Sequence, residues 1–466
     1  MNAAIQAWFE KNAPAVDALA LEVFEHPECS AEEQYACAVT EKFMRGYGFQ
    51  VETFPVPPAT VHNGLRAVWG SGKPVIGILG EYDALPGLGQ EAVPYRAPKP
   101  GPGHGCGHNL MNAGCAAAAA ALKQAMEAEK LPGTIVYLGC PAEEGLSGKV
   151  YMMKDGWFRD VDICIAWHDG GPFRVAEHVN QSMISLEYRF HGRTAHAACN
   201  PQDGRSALDA AQLMNMGVEF LREHLEDAVR IHYVFGEAGE RPNVVPDRAS
   251  LHYYIRSYSK KSVDEVFARV CDVARGAALM TGTTASYKII SGGYEPILNF
   301  TLNDALYQAA KKVPDITYTQ EDMAFARELY KNYNGKEAPE LLDMGDRAHI
   351  YGQCSVLPTH FCTPLGHGWA EFGSTDVNDV SQVIPTVQMF GGNVMNVGGH
   401  SWGVTASSGS PTGRKSSVQA GKYIAQFCLD VFHDPSIVQR AKEELQRTRI
   451  GREPYAPILA TEEIPL

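Results

Sequence analysis

The sequence predicts an α/β protein, in which a mainly parallel sheet flanked by helices carries an inserted α+β domain of ferredoxin-like order. Three observations lead to this fold class. Continuous apolar runs at residues 75 to 79, 134 to 140 and 161 to 167 are typical of strands buried on both faces of a sheet. Helical patterns alternate with these runs, as in a parallel sheet covered by helices. From 181 to 291 the pattern becomes β-α-β-β-α-β.

Length and composition limit the possible functions. The 466 residues are enough for two or three domains, and the net charge of −14 disfavours nucleic acid as a partner. The 11 cysteines have no paired spacing, which indicates a reducing compartment. No apolar run reaches the roughly 20 residues of a membrane span. Because Glu10 and Lys11 interrupt the N-terminus, we expect no signal peptide and a cytoplasmic protein.

The first elements follow from local patterns. Residues 3 to 47 predict two amphipathic helices, with Ser30 and Glu33 as a capping box for the second. The alternating run 49 to 54 and the short run 65 to 69 predict strands.

Polar side chains follow the ends of the three buried strands. Functional groups in parallel sheets collect beyond the carboxyl ends of the strands. The side chains that this rule brings to one edge, together with those of the loop 103 to 112, are Glu81, Asp83, Cys106, His108, Glu143, Glu144 and His168.

The loop 103 to 112, GHGCGHNLMN, precedes an alanine-rich helix and offers His104, Cys106 and His108 within five residues. Thiolate and imidazole are ligands for transition metals. The alternative is a glycine-rich turn with a buried cysteine, and the loop alone does not decide between the two.

Ligand types from several loops favour two close metal ions over a structural zinc, since paired CxxC spacings are absent. Two such ions can polarise a carbonyl and activate water, which is hydrolase chemistry. Glu143 and Glu144 could divide the remaining work between a metal ligand and a general base. A solvated acidic turn is the alternative, but an apolar strand delivers this pair to the ligand edge.

The rest of the chain completes the domain prediction. Residues 1–180 and 292–466 form the catalytic domain, and 181–291 form the inserted lid and dimerisation domain. The irregular stretch 346 to 385 holds His349, His360 and His367, which could line a pocket, although their spacing does not require it. His400 lies in a late glycine-rich loop, and the C-terminal tail has a composition typical of poor order.

The motifs GHGCGHN, PAEEG, WH, HGRTAHA and GGHSW together resemble the dinuclear metallopeptidase family that contains aminoacylases, carboxypeptidases and auxin-conjugate amidohydrolases. Within that family, GEYDALPGL, GRSALDA, PNVV and GAALMT most resemble the p-aminobenzoyl-glutamate hydrolase branch. The resemblance runs from about residue 20 to about residue 430. Two departures are Asn109, where much of the family has Asp, and the glycine-rich sequence around His400.

The resemblance implies a role for each matching residue. Glu143 is the general base, and His196 stabilises the oxyanion in the active site of a partner subunit. The implied ligands of two divalent ions, Mn²⁺ by resemblance or Zn²⁺ as a Cys ligand also permits, are Cys106, His108, Glu144, His168 and His400. Asn243 and Arg256 are implied to hold the substrate's carboxylate.

The implied reaction is metal-dependent hydrolysis of an N-acyl or N-aroyl amino acid, with an acidic amino acid as in p-aminobenzoyl-glutamate, by a homodimer. One alternative is an indole-3-acetyl-aspartate hydrolase or a broader aminoacylase or dipeptidase. A non-enzyme alternative is a metal-binding subunit that is inactive without a related partner chain. Asp83 could orient a metal ligand or cap a turn, His104 is expected to be structural, and the roles of Asn109 and His367 stay open.

Overall fold

The structure, a computed structural model, describes residues 1–343 and 352–466, apart from the side chains of Leu146 and Asp343. His349 lies outside the described residues. The chain forms two compact units. The first comprises Met1–His178, Ile297–Trp369 and Val380–Tyr455, and the second comprises Val179–Pro296, Ala370–Asp379 and Ala456–Leu466.

The helices are numbered here in chain order. They are α1 Ala3–Glu25, α2 Gln34–Gly46, α3 His108–Glu129, α4 Glu143–Leu146, α5 Gly148–Lys154, α6 Ala207–Arg222, α7 Lys260–Thr281, α8 Phe300–Ala310, α9 Gln320–Asn334, α10 Val377–Val383, α11 Trp402–Gly409, α12 Pro411–His433 and α13 Ser436–Thr448. The predicted pair of N-terminal helices and the alanine-rich helix are confirmed as α1, α2 and α3.

The strands are numbered in the same way. They are β1 Gln50–Phe54, β2 Gly64–Ser71, β3 Val75–Glu81, β4 Gly133–Cys140, β5 Ile163–His168, β6 Arg174–Val175, β7 His178–Val179, β8 Ser182–His191, β9 Arg230–Glu237, β10 Arg248–Ser257, β11 Thr284–Gly293, β12 Leu342–Asp343, β13 Gln353–Cys354, β14 Trp369–Ala370, β15 Thr386–Phe390 and β16 Ile464–Pro465.

The sheet of the first unit has the order β1-β2-β4-β3-β5-β15-β6. The central strands β4, β3, β5 and β15 are parallel, while β1, β2 and β6 join antiparallel at the two sides. The predicted mainly parallel sheet is therefore confirmed. Every residue of β3 is buried, as its continuous apolar sequence predicts.

Helix α3 packs between the sheet and the helices α1 and α12. Its alanines from Ala116 to Ala121 are buried, and small side chains allow the neighbouring backbones to approach closely. One such approach is at Gly421, where an added Cβ would lie 2.9 Å from the carbonyl oxygen of Gly114. This packing fixes the N-terminus of α3, where the ligand-type loop ends.

The second unit has the sheet order β16-β11-β8-β10-β9, with antiparallel neighbours throughout and with α6 and α7 packed against it. The predicted β-α-β-β-α-β order of the ferredoxin-like sandwich is confirmed by β8, α6, β9, β10, α7 and β11. The expectation of a poorly ordered tail is wrong, because β16 pairs with β11 through Ser286 and Tyr287.

The predicted capping box of α2 is also wrong. Helix α2 begins without a side-chain cap, and the Ser30 hydroxyl donates instead to Asp83 Oδ2 at 2.8 Å. The backbone N–H groups of Tyr35 and Ala36 are bound by Glu28 at 2.9 and 3.0 Å. Glu33 is therefore available for bonds elsewhere in the fold.

Candidate metal centre

The predicted ligands in the first unit come together where the parallel strands end. Cys106, His108 and His168 offer one ligand-type atom each, all within 4.8 Å of one another. Cys106 forms a second such group with Glu144 and His400. Because the thiol belongs to both groups, the arrangement suits two ions that share it. Glu143 forms a further group with His108 and Glu144, so its carboxylate faces the same space.

Asp83 orients His108. The Nδ1–H of His108 donates to Asp83 Oδ1 at 2.9 Å, and both side chains are fully buried. This bond leaves Nε2 as the imidazole atom that faces the other ligands, which is the usual arrangement of a carboxylate–histidine pair behind a metal ion. Of the two roles left open for Asp83, the geometry favours orienting a ligand.

Helix α4 presents the acidic pair. The residue before it, Ala142, has a left-handed backbone with φ 57° and ψ 36°, and β4 ends two residues earlier. Glu144 Oε2 lies 3.3 Å from His400 Nε2, and Glu144 Oε1 lies 3.9 Å from His108 Nε2. The backbone N–H of Glu144 donates to Asp83 Oδ2 at 2.9 Å. Asp83 therefore positions two of the candidate ligands.

Several buried atoms in this cluster fit a cation. Glu81 Oε2, His108 Nε2 and Glu144 Oε1 are buried and have no hydrogen-bond partner. A buried polar atom without a partner costs about 1–3 kcal/mol, so a set of them pointing to one space is unfavourable unless something binds there. Carboxylate, imidazole and thiol donors are also the ligand types of divalent transition metals. The residues present therefore fit the metal ions that the sequence predicts.

The protonation of the ligands follows from burial. Burial raises the pKa of the Cys106 thiol and lowers the pKa of His168 to about 4. The Nδ1–H of His168 donates to the carbonyl of Asp169 at 2.7 Å, which leaves Nε2 facing Cys106 Sγ at 3.4 Å. His168 is thus a neutral imidazole with a free-facing nitrogen, the form in which histidine binds metals.

A buried ion pair lies beside the cluster. Lys149 Nζ is 2.5 Å from Glu81 Oε1, and the other oxygen of Glu81 lies 3.5 Å from His108 Nε2. Burial opposes ionisation of Glu81, but the charges of Lys149 and His108 outweigh it and lower its pKa. The sequence placed Glu81 at this strand end, but Lys149 gave no signal, since lysine is normally a surface residue.

Asp169 also has a role that the sequence did not show. Its Oδ2 accepts from Asn393 Nδ2 at 2.8 Å. A Cβ on Gly107 would lie 2.6 Å from the same oxygen, and Gly107 has φ +80°. The loop therefore needs glycine beside Cys106 for two reasons, the left-handed backbone and the close carboxylate.

Two uncertain residues of the loop have structural contacts. Asn109 is buried, and its Nδ2 donates to the carbonyls of Ala20 and Ser408 at 3.1 and 3.0 Å. An aspartate there would face two carbonyl oxygens, so the departure from the family pattern ties α3 to α1 and α11. His104 donates to the Val23 carbonyl at 3.1 Å, which fits the structural role expected for it.

The remaining candidates of the sequence lie elsewhere. In the second unit, His196 and Asn243 are exposed and neighbours, since the N–H of Ala197 donates to the Asn243 carbonyl at 3.0 Å. His196 Nδ1 accepts from the N–H groups of Ala198 and Cys199 at 3.2 Å each, which places its proton on Nε2.

Arg256 of the second unit donates to Ser374 Oγ at 3.1 Å and lies over the ring of Tyr254. His360 and His367 are exposed and belong to none of the ligand groups formed by residues 1–343 and 352–466. Among the helices in those two ranges, none has the length and apolar character to cross a membrane.

Fold and site together define a class, a two-unit α/β hydrolase with a cluster of ligands for metal ions. The chain belongs to peptidase family M20/M25/M40, whose model matches residues 77–329. It is 33% identical over 457 residues to one of the subunits that form the p-aminobenzoyl-glutamate hydrolase of Escherichia coli K12, covering 94% of each chain. It is 25% identical to the Xaa-Arg dipeptidase of Homo sapiens, covering 94% of this chain and 90% of the relative.

A solved structure supports the fold. It is that of Bacillus subtilis YXEP, described as a dinuclear metal-binding peptidase of the M20 family, with a TM-score of 0.60 and 19% identity over 91% of this chain and 99% of that chain. The family membership makes the chain a hydrolase of amide bonds, as the sequence predicted.

Proposed function

We propose that this chain hydrolyses the amide bond between an acyl or aroyl group and an acidic amino acid, with p-aminobenzoyl-glutamate as the model substrate. The observation that carries the proposal is the ligand cluster with Glu143 beside it, in a chain that shares 33% of its residues with a p-aminobenzoyl-glutamate hydrolase subunit over 94% of its length.

Two divalent ions, Mn²⁺ or Zn²⁺, would be held by Cys106, His108, Glu144, His168 and His400. When bound, they would supply the Lewis acidity that activates water and polarises the carbonyl. Glu143 takes a proton from the attacking water and later gives it to the leaving amine as the C–N bond breaks. His196, supplied by the second protomer of a homodimer, donates its Nε2–H to the developing oxyanion.

Arg256 supports the preference for an acidic amino acid. It lies directly opposite Arg230 in the β9–β10 pair, and like charges in that position are destabilising. Neither guanidinium forms an ion pair with a carboxylate among the described residues. A pair of arginines without acidic partners suits a substrate that brings carboxylates, which the planar guanidinium can bind through two oxygens. Asn243 is proposed as a further contact to the substrate.

The proposed homodimer rests on exposed apolar side chains of the second unit. Met216 and Phe220 on α6 are 53% and 71% exposed, and Val234 on β9 is 61% exposed. Within the part of the chain that the structure describes, β9 pairs only with β10, so its other side is a sheet edge. Light scattering of the purified protein checks the state, and mixing inactive His196→Ala and Glu143→Ala chains restores partial activity if His196 acts across the dimer.

The function itself is tested by a hydrolysis screen of the metal-loaded enzyme. N-aroyl and N-indoleacetyl amino acids are compared with the amino acid varied, and the aroyl-glutamate and aroyl-aspartate pairs are expected to give the highest kcat/KM. Glu143→Ala should retain metal yet lose at least about a hundredfold in kcat. Preference for indole-3-acetyl-aspartate or for neutral dipeptides would replace the proposed substrate by one of the alternatives.

The relative from Escherichia coli is named a subunit, which makes a partner chain the alternative to test first. Purified protein that binds metal but hydrolyses no N-acyl amino acid, and becomes active with a related chain, would favour that alternative. A cytoplasmic location stays a prediction, and fractionation of cells that express the chain checks it.

A further inference from the structure

Glu33 is a buried carboxylate that the proposed reaction does not use. Its side chain lies just before α2 with no exposed surface. Each oxygen accepts one hydrogen bond from a distant segment. Oε1 accepts from the backbone N–H of Ala142 at 2.7 Å, and Oε2 accepts from Asn63 Nδ2 at 3.0 Å. Glu33 therefore connects the start of α2 to the turn that precedes the acidic pair.

That turn is strained. Ala142 has φ 57°, a conformation that costs a residue other than glycine about 1–2 kcal/mol, and its methyl group is buried. The next residue is Glu143, and the N–H after that is held by Asp83 at 2.9 Å. Two carboxylates thus bind the backbone N–H groups on either side of Glu143, Asp83 from β3 and Glu33 from the N-terminal segment.

We propose that Glu33 is a positioning residue for the reaction: by accepting the Ala142 N–H, it fixes the left-handed turn and hence the direction in which Glu143 points. The inference rests on the proposed function, in which Glu143 transfers the proton. It goes beyond that function by assigning the orientation of the base to a residue more than one hundred positions earlier.

The bonding pattern requires a residue with two acceptors. Asn63 cannot turn its amide, because its Oδ1 accepts from the Val56 N–H at 2.8 Å, which leaves Nδ2 facing Glu33. Both neighbours of Glu33 are consequently donors. A glutamine has only one acceptor oxygen, and its NH₂ group would face another donor at either position. Glu33→Gln therefore breaks one of the two bonds.

A reciprocal exchange restores the pattern. In Glu33→Gln with Asn63→Asp, the aspartate accepts from Val56 with one oxygen and from the glutamine NH₂ with the other. The glutamine oxygen remains for the Ala142 N–H. The net charge of the pair is unchanged, because the carboxylate has only moved from position 33 to position 63.

The experiment compares the full-length, metal-loaded enzyme and its variants in kcat, KM, bound metal and free energy of unfolding. Burial raises the pKa of Glu33 to about 8, so the assays are run above that pH. Glu33→Gln is expected to lower kcat about a hundredfold, the typical effect of misplacing a reacting group by about 1 Å, with KM and metal content near those of the unchanged enzyme. The reciprocal exchange is expected to recover most of that loss.

Glu28→Gln is the matched control. Glu28 also accepts two N–H donors, those of Tyr35 and Ala36, but at the start of α2 rather than at Ala142. It should lose stability and keep its kcat. If Glu33→Gln does not fold, Glu33→Asp serves in its place, since it keeps the charge and both acceptors but is one methylene shorter.

Normal kcat in folded, metal-loaded Glu33→Gln or Glu33→Asp would overturn the inference, as would a reciprocal exchange that regains stability without activity. The proposed function fails separately. Activity in Glu143→Ala would remove the base assignment itself, whereas an inactive Glu143→Ala beside a fully active Glu33→Gln would remove only the role of Glu33.

Discussion

Asp83 Oδ1 accepts a hydrogen bond from His108 Nδ1 at 2.9 Å, and both side chains are completely buried. The other oxygen of Asp83 accepts from Ser30 Oγ at 2.8 Å and from the N–H of Glu144 at 2.9 Å. One carboxylate therefore holds an imidazole ligand and the backbone of a carboxylate ligand.

Asp83→Asn should weaken metal binding ten- to a hundredfold, the usual effect of removing the partner behind a metal-binding histidine. An asparagine oxygen can serve His108 only if its NH₂ group faces the donors of Ser30 and Glu144. Titration of the metal-free protein with Mn²⁺ or Zn²⁺ in a calorimeter measures the loss. Ser30→Ala is the control, because it removes one bond to Asp83 and leaves the His108 bond intact. Equal affinities in Asp83→Asn and the unchanged protein would contradict this role.

Metal binding should release protons and tighten as pH rises. Burial raises the pKa of the Cys106 thiol. Burial opposes the charged form of His108, but Cys106 and Asp83 outweigh it and raise its pKa well above its usual value. In the ion-free protein both groups hold protons at neutral pH, and an incoming ion must displace them.

Calorimetric titrations in two buffers of different ionisation enthalpy count the released protons. Chelation of the ions should also lower the Tm, since a ligand that binds only the folded state stabilises it by about 2.7 kcal/mol at a free concentration of a hundred times its Kd. Cys106→Ser should release fewer protons and bind more weakly. An affinity that does not change with pH would mean that these side chains are not the ligands.

The sequence was sufficient for the groups that lie at strand ends or in a short motif. Cys106 and His108 share one loop, and His168 ends a strand whose apolar run was plain, so the rule for parallel sheets predicted their meeting. It could not show Glu33 and Lys149. Their roles depend on pairings across the fold, with Ala142 and Glu81, that no local pattern contains. The Ser30–Glu33 capping box failed for the same reason, because stronger tertiary bonds took both side chains.

His104 should make the protein less stable in acid. Burial lowers its pKa to about 4, whereas an unfolded chain has a histidine pKa of about 6.5. Below about pH 6.5 the unfolded chain therefore takes up a proton that the folded chain does not, and stability falls as pH decreases towards 4. The expected loss is about 2 kcal/mol at about pH 5.

Urea unfolding of the metal-free protein at neutral pH and at about pH 5 measures this loss. His104→Gln keeps a donor for the Val23 carbonyl but cannot take up a proton, so its stability should change less between the two conditions. His26 is exposed and provides the control, since His26→Gln should leave the pH dependence unchanged. An equal slope in His104→Gln and the unchanged protein would assign the acid sensitivity to other groups.

Two glycines should respond in opposite ways to alanine. Gly148 begins α5 directly after the turn of Glu143 and Glu144, and a Cβ there would lie 1.9 Å from the carbonyl oxygen of Pro141. The backbone must move to accept it, at a cost of about 1–3 kcal/mol. The same movement displaces the acidic pair, so Gly148→Ala should lose both stability and kcat.

Gly276 lies inside α7, and a Cβ there would meet no atom within 4 Å. Gly276→Ala should therefore stabilise the second unit by about 1 kcal/mol, the difference in helix propensity, and leave kcat unchanged. Urea unfolding and steady-state kinetics on both variants check the pair. If Gly148→Ala lost stability but kept its kcat in the folded enzyme, the turn before α5 would not set the position of Glu143. That result would also count against the role proposed for Glu33, because both act through the same turn.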